Sequence, residues 1–153
     1  MFKNILLMAL FALTISCGYE AMHSKNKLSN TNFSISKISF EGDREMNIKI
    51  QEKLSRYSLS KKERDFIIKI TSLAEKNIYA KDSKGNPSIF EINLKVLTLV
   101  NIKDGTKTTI PFEKSFKYNT NEDNFELKRY EREIKLNLTK TIINDLVFKL
   151  SGL

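Results

Sequence analysis

Few residues in this chain could do chemistry, and the first is a cysteine. Cys17 is the only cysteine and His23 the only histidine among 153 residues. A lone cysteine cannot close an internal disulfide, so it is free, paired between chains or modified. The residues before it bear on that choice. Lys3 precedes an apolar run from Ile5 to Ile15, interrupted only by Thr14. As a helix that run is roughly 16 Å long, at about 1.5 Å per residue. A membrane span needs about 20 residues, so the run is too short to cross comfortably. A positive start, a short apolar stretch and the small Ser16 make the pattern of an export signal, with cleavage between Ser16 and Cys17.

The other chemical groups lack partners in the pattern. His23 sits in a polar stretch, and no second His or Cys stands ready to complete a zinc or transition-metal site with it. Glu131 and Glu133 lie two apart on a helical stretch, so they point to different faces and read as solvated, not as an acid–base pair. Gly85 and Gly105 belong to turns, and no glycine-rich phosphate loop opens a helix. No nucleophile stands beside a base. The expectation is a non-enzymatic protein with no catalytic residue, no metal and no cofactor.

The formal charge is +8, from 26 Lys and Arg against 18 Asp and Glu. Such a surplus favours anionic partners. The basic residues are interleaved with acids, however, as in Lys61-Lys62-Glu63-Arg64-Asp65 and Lys128-Arg129-Tyr130-Glu131-Arg132-Glu133. That reads first as a solvated surface. An exported chain meets little nucleic acid, so nucleic acid is excluded as a partner. A hydrophobic content of 41% with only 5 Gly and 2 Pro is that of a folded domain, not a low-complexity chain.

Three segments follow from this: a signal peptide over 1–16, a modified cysteine with a polar tether over 17–31, and a single domain over 32–153. Within the domain the apolar spacing alternates between strand and helix periods. Phe33 to Glu41 predicts a strand whose phase slips at Ser36-Lys37, where a bulge fits. Arg44 to Ser58 predicts a helix on Met46, Ile50, Leu54 and Tyr57. Asp65 to Ala80 predicts a strand burying Phe66, Ile68 and Ile70. Lys84-Gly85-Asn86-Pro87 is a turn. Ser88 to Ile102 predicts the clearest strand, with Phe90, Ile92, Leu94, Val96 and Val100 inward and Glu91, Asn93 and Lys95 outward. Asp104-Gly105 marks a hairpin. Thr106 to Tyr118 returns, and Pro111 assigns it to a sheet edge because proline cannot donate a ladder hydrogen bond. After the acidic pair Glu122-Asp123, a long helix carries a stripe of Tyr130, Ile134, Leu138, Ile142, Leu146 and Leu150, broadened by Ile143 and Val147. At about 1.5 Å per residue it reaches roughly 40 Å, enough to cross the sheet. The order β-α-β-β-β-α predicts an α+β fold, a two-layer sandwich of a four-stranded sheet with two helices on one face.

Thr14-Ile15-Ser16-Cys17 resembles the lipobox of bacterial lipoproteins, with Thr14 in place of the usual aliphatic residue. The resemblance implies that Cys17 carries N-acyl and S-diacylglycerol chains, and more than one chain anchors stably. Gly18 after the cysteine favours, by the same resemblance, the outer membrane. Cys17-Gly18-Tyr19-Glu20-Ala21-Met22-His23 further resembles the mature start of the LptE family of lipopolysaccharide-assembly lipoproteins. Ala21 and His23 depart from its Pro and Tyr. LptE has a similar order of strands and helices, so the likeness extends over the mature chain as architecture. It implies a structural partner or plug of an LptD-like outer-membrane β-barrel in lipopolysaccharide transport, anchored on the periplasmic side, with lipopolysaccharide itself a candidate ligand. Cys17 is the residue it carries over; it assigns no ligand-binding residue. The hairpin tips Lys84–Pro87 and Lys103–Gly105 are the expected contacts. The competing reading is an unrelated periplasm-facing lipoprotein, a small-ligand-binding or transporter-accessory module.

Overall fold

In the computed structural model, six elements follow one another from Phe33 to Ser151. They are β1 (Phe33–Gly42), α1 (Arg44–Leu54), β2 (Arg64–Lys81), β3 (Pro87–Ile102), β4 (Lys107–Asn119) and α2 (Asn124–Ser151). The structure describes residues 31–59, 61–102 and 105–153. The expected cleavage site at Ser16-Cys17, His23 and the tip pair Lys103-Asp104 lie outside the described residues. The sheet order is β1-β2-β3-β4. β1 pairs parallel to β2, and the other neighbours pair antiparallel. The observed architecture is the α+β sandwich that the spacing predicts, and β4, the strand with Pro111, is an edge.

The parallel pair needs a crossover, and α1 supplies it. Between strand and helix the chain turns hard against β2. Gly42 has φ 92°, and a Cβ built there would lie 1.8 Å from the Ser72 carbonyl oxygen. Only glycine fits that place. Asp43 follows: its N–H donates to the Ser72 carbonyl at 3.0 Å. Its carboxylate caps α1 by accepting from the Met46 N–H at 2.9 Å. The register of β1 on β2 shifts between Ile35 and Lys37, the position of the expected bulge.

The core lies between the sheet and the helices. Phe66, Ile68 and Ile70 of β2, Leu94, Val96 and Val100 of β3, and Met46, Ile50 and Leu54 of α1 are fully buried there. The expected helix over Arg44 to Ser58 ends instead at Leu54, with a 3-10 turn over Ser55–Ser58. That tightening lets Tyr57 stack on Phe33 at the start of β1, 4.9 Å between ring centroids. The stripe of α2 also differs in phase. Tyr130 is exposed, while Leu127, Thr139 and Ile143 face inward with Ile134, Ile142, Leu146 and Leu150. A strict four-residue spacing drifts around a helix of about 3.6 residues per turn, so a 28-residue helix cannot hold one such series against a sheet.

Candidate functional site

Three places deserve chemical scrutiny: a polar cluster at one end of the sheet, the seam between the helices, and the sheet face that, among the described residues, no helix covers. In the cluster, the Tyr118 hydroxyl donates to Glu131 Oε1 at 2.7 Å. The same oxygen accepts from Lys76 Nζ at 2.6 Å. Lys76 in turn lies 4.2 Å from the Phe90 ring centroid. Burial pushes the Tyr118 phenol well above its ordinary value, and the Glu131 acceptor adds to the shift. The phenol therefore stays protonated at neutral pH, and the carboxylate that could act as base holds two partners already. Glu131 is not the solvated carboxylate that the helix pattern suggests; it ties α2 to β2 and β4. Glu133 is exposed, as expected.

Along the helix seam, α1 and α2 run in the same direction. At the start of α1, Lys135 Nζ lies 2.8 Å from Asp43 Oδ2 and 3.1 Å from Glu45 Oε2. Arg132 stands 3.8 Å from Glu45. Burial works to raise the Asp43 carboxyl, but the bonds from Lys135 and the Met46 N–H outweigh it and hold the group below its ordinary value. Burial likewise opposes the Lys135 charge, and its two carboxylate partners raise it above its usual range. At the end of α1 the seam opens into a groove of about 530 Å³, lined by Lys49, Lys53, Arg56, Leu136, Lys140 and Ile143 among others. Among the described residues no group of three or more His, Cys, Asp and Glu could hold a metal ion.

The uncovered face of the sheet is more apolar than its strand pattern predicts. Ile67, Leu73, Leu97 and Leu99 project there and remain 39–48% exposed. Leu97 stands between Thr71 and Pro111, and Leu99 between Lys69 and Thr109. Ion pairs frame the patch: Lys69 with Glu41 at 2.7 Å and Lys95 with Glu75 at 3.4 Å. The sequence carries a signal for it that alternation alone passes over. From Val96 to Val100 both parities are apolar or threonine, so both faces of β3 are apolar in that half. Of the expected contact tips, the first is a closed turn in which Asp82 Oδ1 accepts from the N–H groups of Lys84 and Asn86 at 2.9 and 2.8 Å. The second is only partly within the described residues.

No helix among the described residues is long and apolar enough to cross a membrane. The fold is that of small bacterial lipoproteins of known structure. It resembles the rare lipoprotein B of Shewanella oneidensis, with a TM-score of 0.52 at 15% identity, covering 74% of this chain and 91% of the other. An uncharacterized lipoprotein B from Nitrosomonas europaea is similar, with a TM-score of 0.55 at 12% identity, covering 80% and 86%. A minor lipoprotein of Acinetobacter baumannii gives a TM-score of 0.50 at 13% identity, covering 76% and 91%. No family model matches the chain, and no curated protein matches its sequence.

Proposed function

We propose that this protein is a non-catalytic outer-membrane lipoprotein of the LptE type. In this reading it is lipidated at Cys17, faces the periplasm, and serves as structural partner or plug of an LptD-like β-barrel in lipopolysaccharide transport. The observation that carries the partner role is the uncovered sheet face. A patch of Ile67, Leu73, Leu97 and Leu99 framed by ion pairs has the make-up of an interface, an apolar centre with a polar rim. The signal Ser16-Cys17 supports the anchor, the stretch from Cys17 to His23 supports the LptE type, and the fold likeness to lipoproteins agrees with both.

The test uses photocrosslinkers at Leu97 and at Asn86, the first on the open face and the second in the described hairpin tip. Capture of the LptD barrel from either position, and its loss in Leu97→Lys with Leu99→Lys at unchanged thermal stability, is the expected result. Depletion should also lower mature LptD and surface lipopolysaccharide together. Depletion that leaves LptD assembly intact, with no crosslink from either position, moves the assignment to a lipoprotein module unrelated to LptD. Cys17→Ser tests the anchor separately: it should leave an uncleaved or soluble precursor, and normal membrane partitioning at unchanged mass would remove the lipoprotein reading.

A further inference from the structure

The two ends of the sheet differ in where the chain enters and in the charges they carry. Arg64 joins Asn32 to Ser151 at one end, so the chain coming from Cys17 enters the domain there. Around that entrance Leu59 is 85% exposed and Phe148 77%. Phe148 and Leu153 line a cleft of about 490 Å³ at the end of α2. Lys61 and Lys62 precede β2, Lys107 opens β4, and Lys149 lies in the last turn of α2. Among the described residues, Glu63 is the exposed acidic side chain that stands with them.

The far end also exposes apolar side chains, Ile78 and Tyr79 of β2 and Phe125 of α2. Its charges differ. Lys76 and Arg129 are held there by Glu131 and Glu126, and Glu122 and Asp123 add further negative charge. Apolar groups edged with lysines suit an anionic bilayer, since the apolar groups enter the headgroup–acyl boundary while the ammonium groups reach the headgroups. An end with balanced charge gains nothing from the second effect. Reach favours the same end. Fully extended, residues 17–31 would span at most about 50 Å, at about 3.3–3.6 Å per residue. The 28 residues of α2, at about 1.5 Å each, set the far end roughly 40 Å from the entrance. The far end would meet the bilayer that holds the lipid only with the chain doubled back at nearly full stretch.

We propose that the entrance end of the domain docks on the surface of the bilayer that carries the anchor, with Leu59, Phe148 and Leu153 at the headgroup–acyl boundary and Lys61, Lys62 and Lys149 over anionic headgroups. The inference rests on the lipid anchor of the reading above and not on the barrel partner. The occupant is a bilayer surface, read through its charge and its apolar boundary, and no single lipid is enclosed. Docking of this kind stands the sheet upright on the membrane, so that Leu97 and Leu99 face along the surface and stay open to a partner.

The chain contains no tryptophan, so a single indole can report from each end. Phe148→Trp and Phe125→Trp are a matched pair, since the two phenylalanines are 77% and 75% exposed on the same helix. The lipidated full-length variants are placed in vesicles of phosphatidylcholine and phosphatidylglycerol in equal parts, with acyl chains brominated near the headgroup as quenchers. Quenching of Phe148→Trp should exceed that of Phe125→Trp by about threefold or more. Adding Lys61→Glu with Lys149→Glu should at least roughly halve it, while Lys81→Glu with Lys128→Glu, an equal change of charge at the far end, should leave it unchanged. Equal quenching at the two ends, or equal loss in the two charge variants, overturns the proposal. Blue-shifted emission from Phe148→Trp without quenching means that protein covers this end, a second copy or a partner, and overturns the bilayer as occupant. Vesicle flotation of the same samples reads the anchor separately. A chain that floats with Phe148→Trp unquenched overturns the docking alone, and a chain that does not float overturns the anchor and the docking with it.

Discussion

The two faces of the sheet come from the same strands and differ in how their side chains are finished. Toward the helices, Phe66, Ile68, Ile70, Leu94, Val96 and Val100 form an apolar layer with no water access. On the other side, β3 begins polar with Glu91, Asn93 and Lys95 and becomes apolar at Leu97 and Leu99. The covered face is apolar apart from Ser72 and Thr98, because a close-packed interior tolerates neither gaps nor unpaired charge. The open face changes character halfway along, toward the end where the chain arrives at Asn32. A face that answered only to water would have no cause to change there. The comparison thus separates residues that make the fold from residues that give it a surface to use.

The sharpest test sets adjacent residues of β3 against each other. Val96→Asp places an unpaired charge in the helix-covered layer and should cost about 3 kcal/mol or more. Lys95→Asp, one residue away and facing out, should cost less than about 1 kcal/mol because it disturbs only exposed ion pairs. Urea denaturation of both measures the difference, and equal stability would show that the faces are wrongly assigned. Next in size is Gly42→Ala, which drives a Cβ into the Ser72 carbonyl. A loss of about 2–3 kcal/mol is expected, since the clash is with backbone and the φ is unfavourable for alanine.

Asp43→Ala should cost about 1–2 kcal/mol, from the lost helix cap and a broken ion pair whose partner Lys135 keeps Glu45. The sign with pH follows from the lowered carboxyl. Asp43 contributes in full above its unfolded value near 3.8, and the contribution fades as pH falls through the still lower folded value. The gap between wild type and variant should therefore be level from neutral pH down to about pH 5 and close in strong acid. The smallest effect has the opposite sign. Thr98 lies in the covered layer, fully buried, and its Oγ1 has no hydrogen-bond partner among the described residues. Thr98→Val keeps the shape and removes the unpaired hydroxyl, so it should stabilise by about 1 kcal/mol in the same denaturation assay.

Much of the fold is legible in the sequence because burial is written locally. Alternation at Leu94, Val96 and Val100, proline at Pro111 and the slipped phase at Ser36-Lys37 each describe their own strand. Contacts between distant segments are not written that way. Nothing near Asp43 announces Lys135, 92 residues on, and nothing near Tyr118 announces that Glu131 will be shared with Lys76. The stripe of α2 is legible as a helix but not in its exact face, since Tyr130 and Leu127 both fit a helical period and only packing chooses Leu127. The candidate surfaces divide the same way. Leu97 and Leu99 could be found from the apolar run Val96 to Val100. The groove could not, because Lys53 and Arg56 meet Lys140 only after the crossover lays α1 beside α2.

The crossover has a mechanical consequence. A chain held at Cys17 by lipid would pass any pull on the domain first to Asn32 and then to β1, an edge strand. β1 lies parallel to β2 from its first residue to its last, pairing Phe33 with Arg64 at one end and Gly42 with Ser72 at the other. A load directed along that strand would shear its hydrogen bonds together, instead of peeling them one at a time. Arg64 adds a strap at the loaded end, its guanidinium donating to the Asn32 carbonyl at 3.3 Å and to the Ser151 carbonyl at 3.5 Å. Pulled in that direction, the pairing of β1 with β2 would resist at its strongest angle.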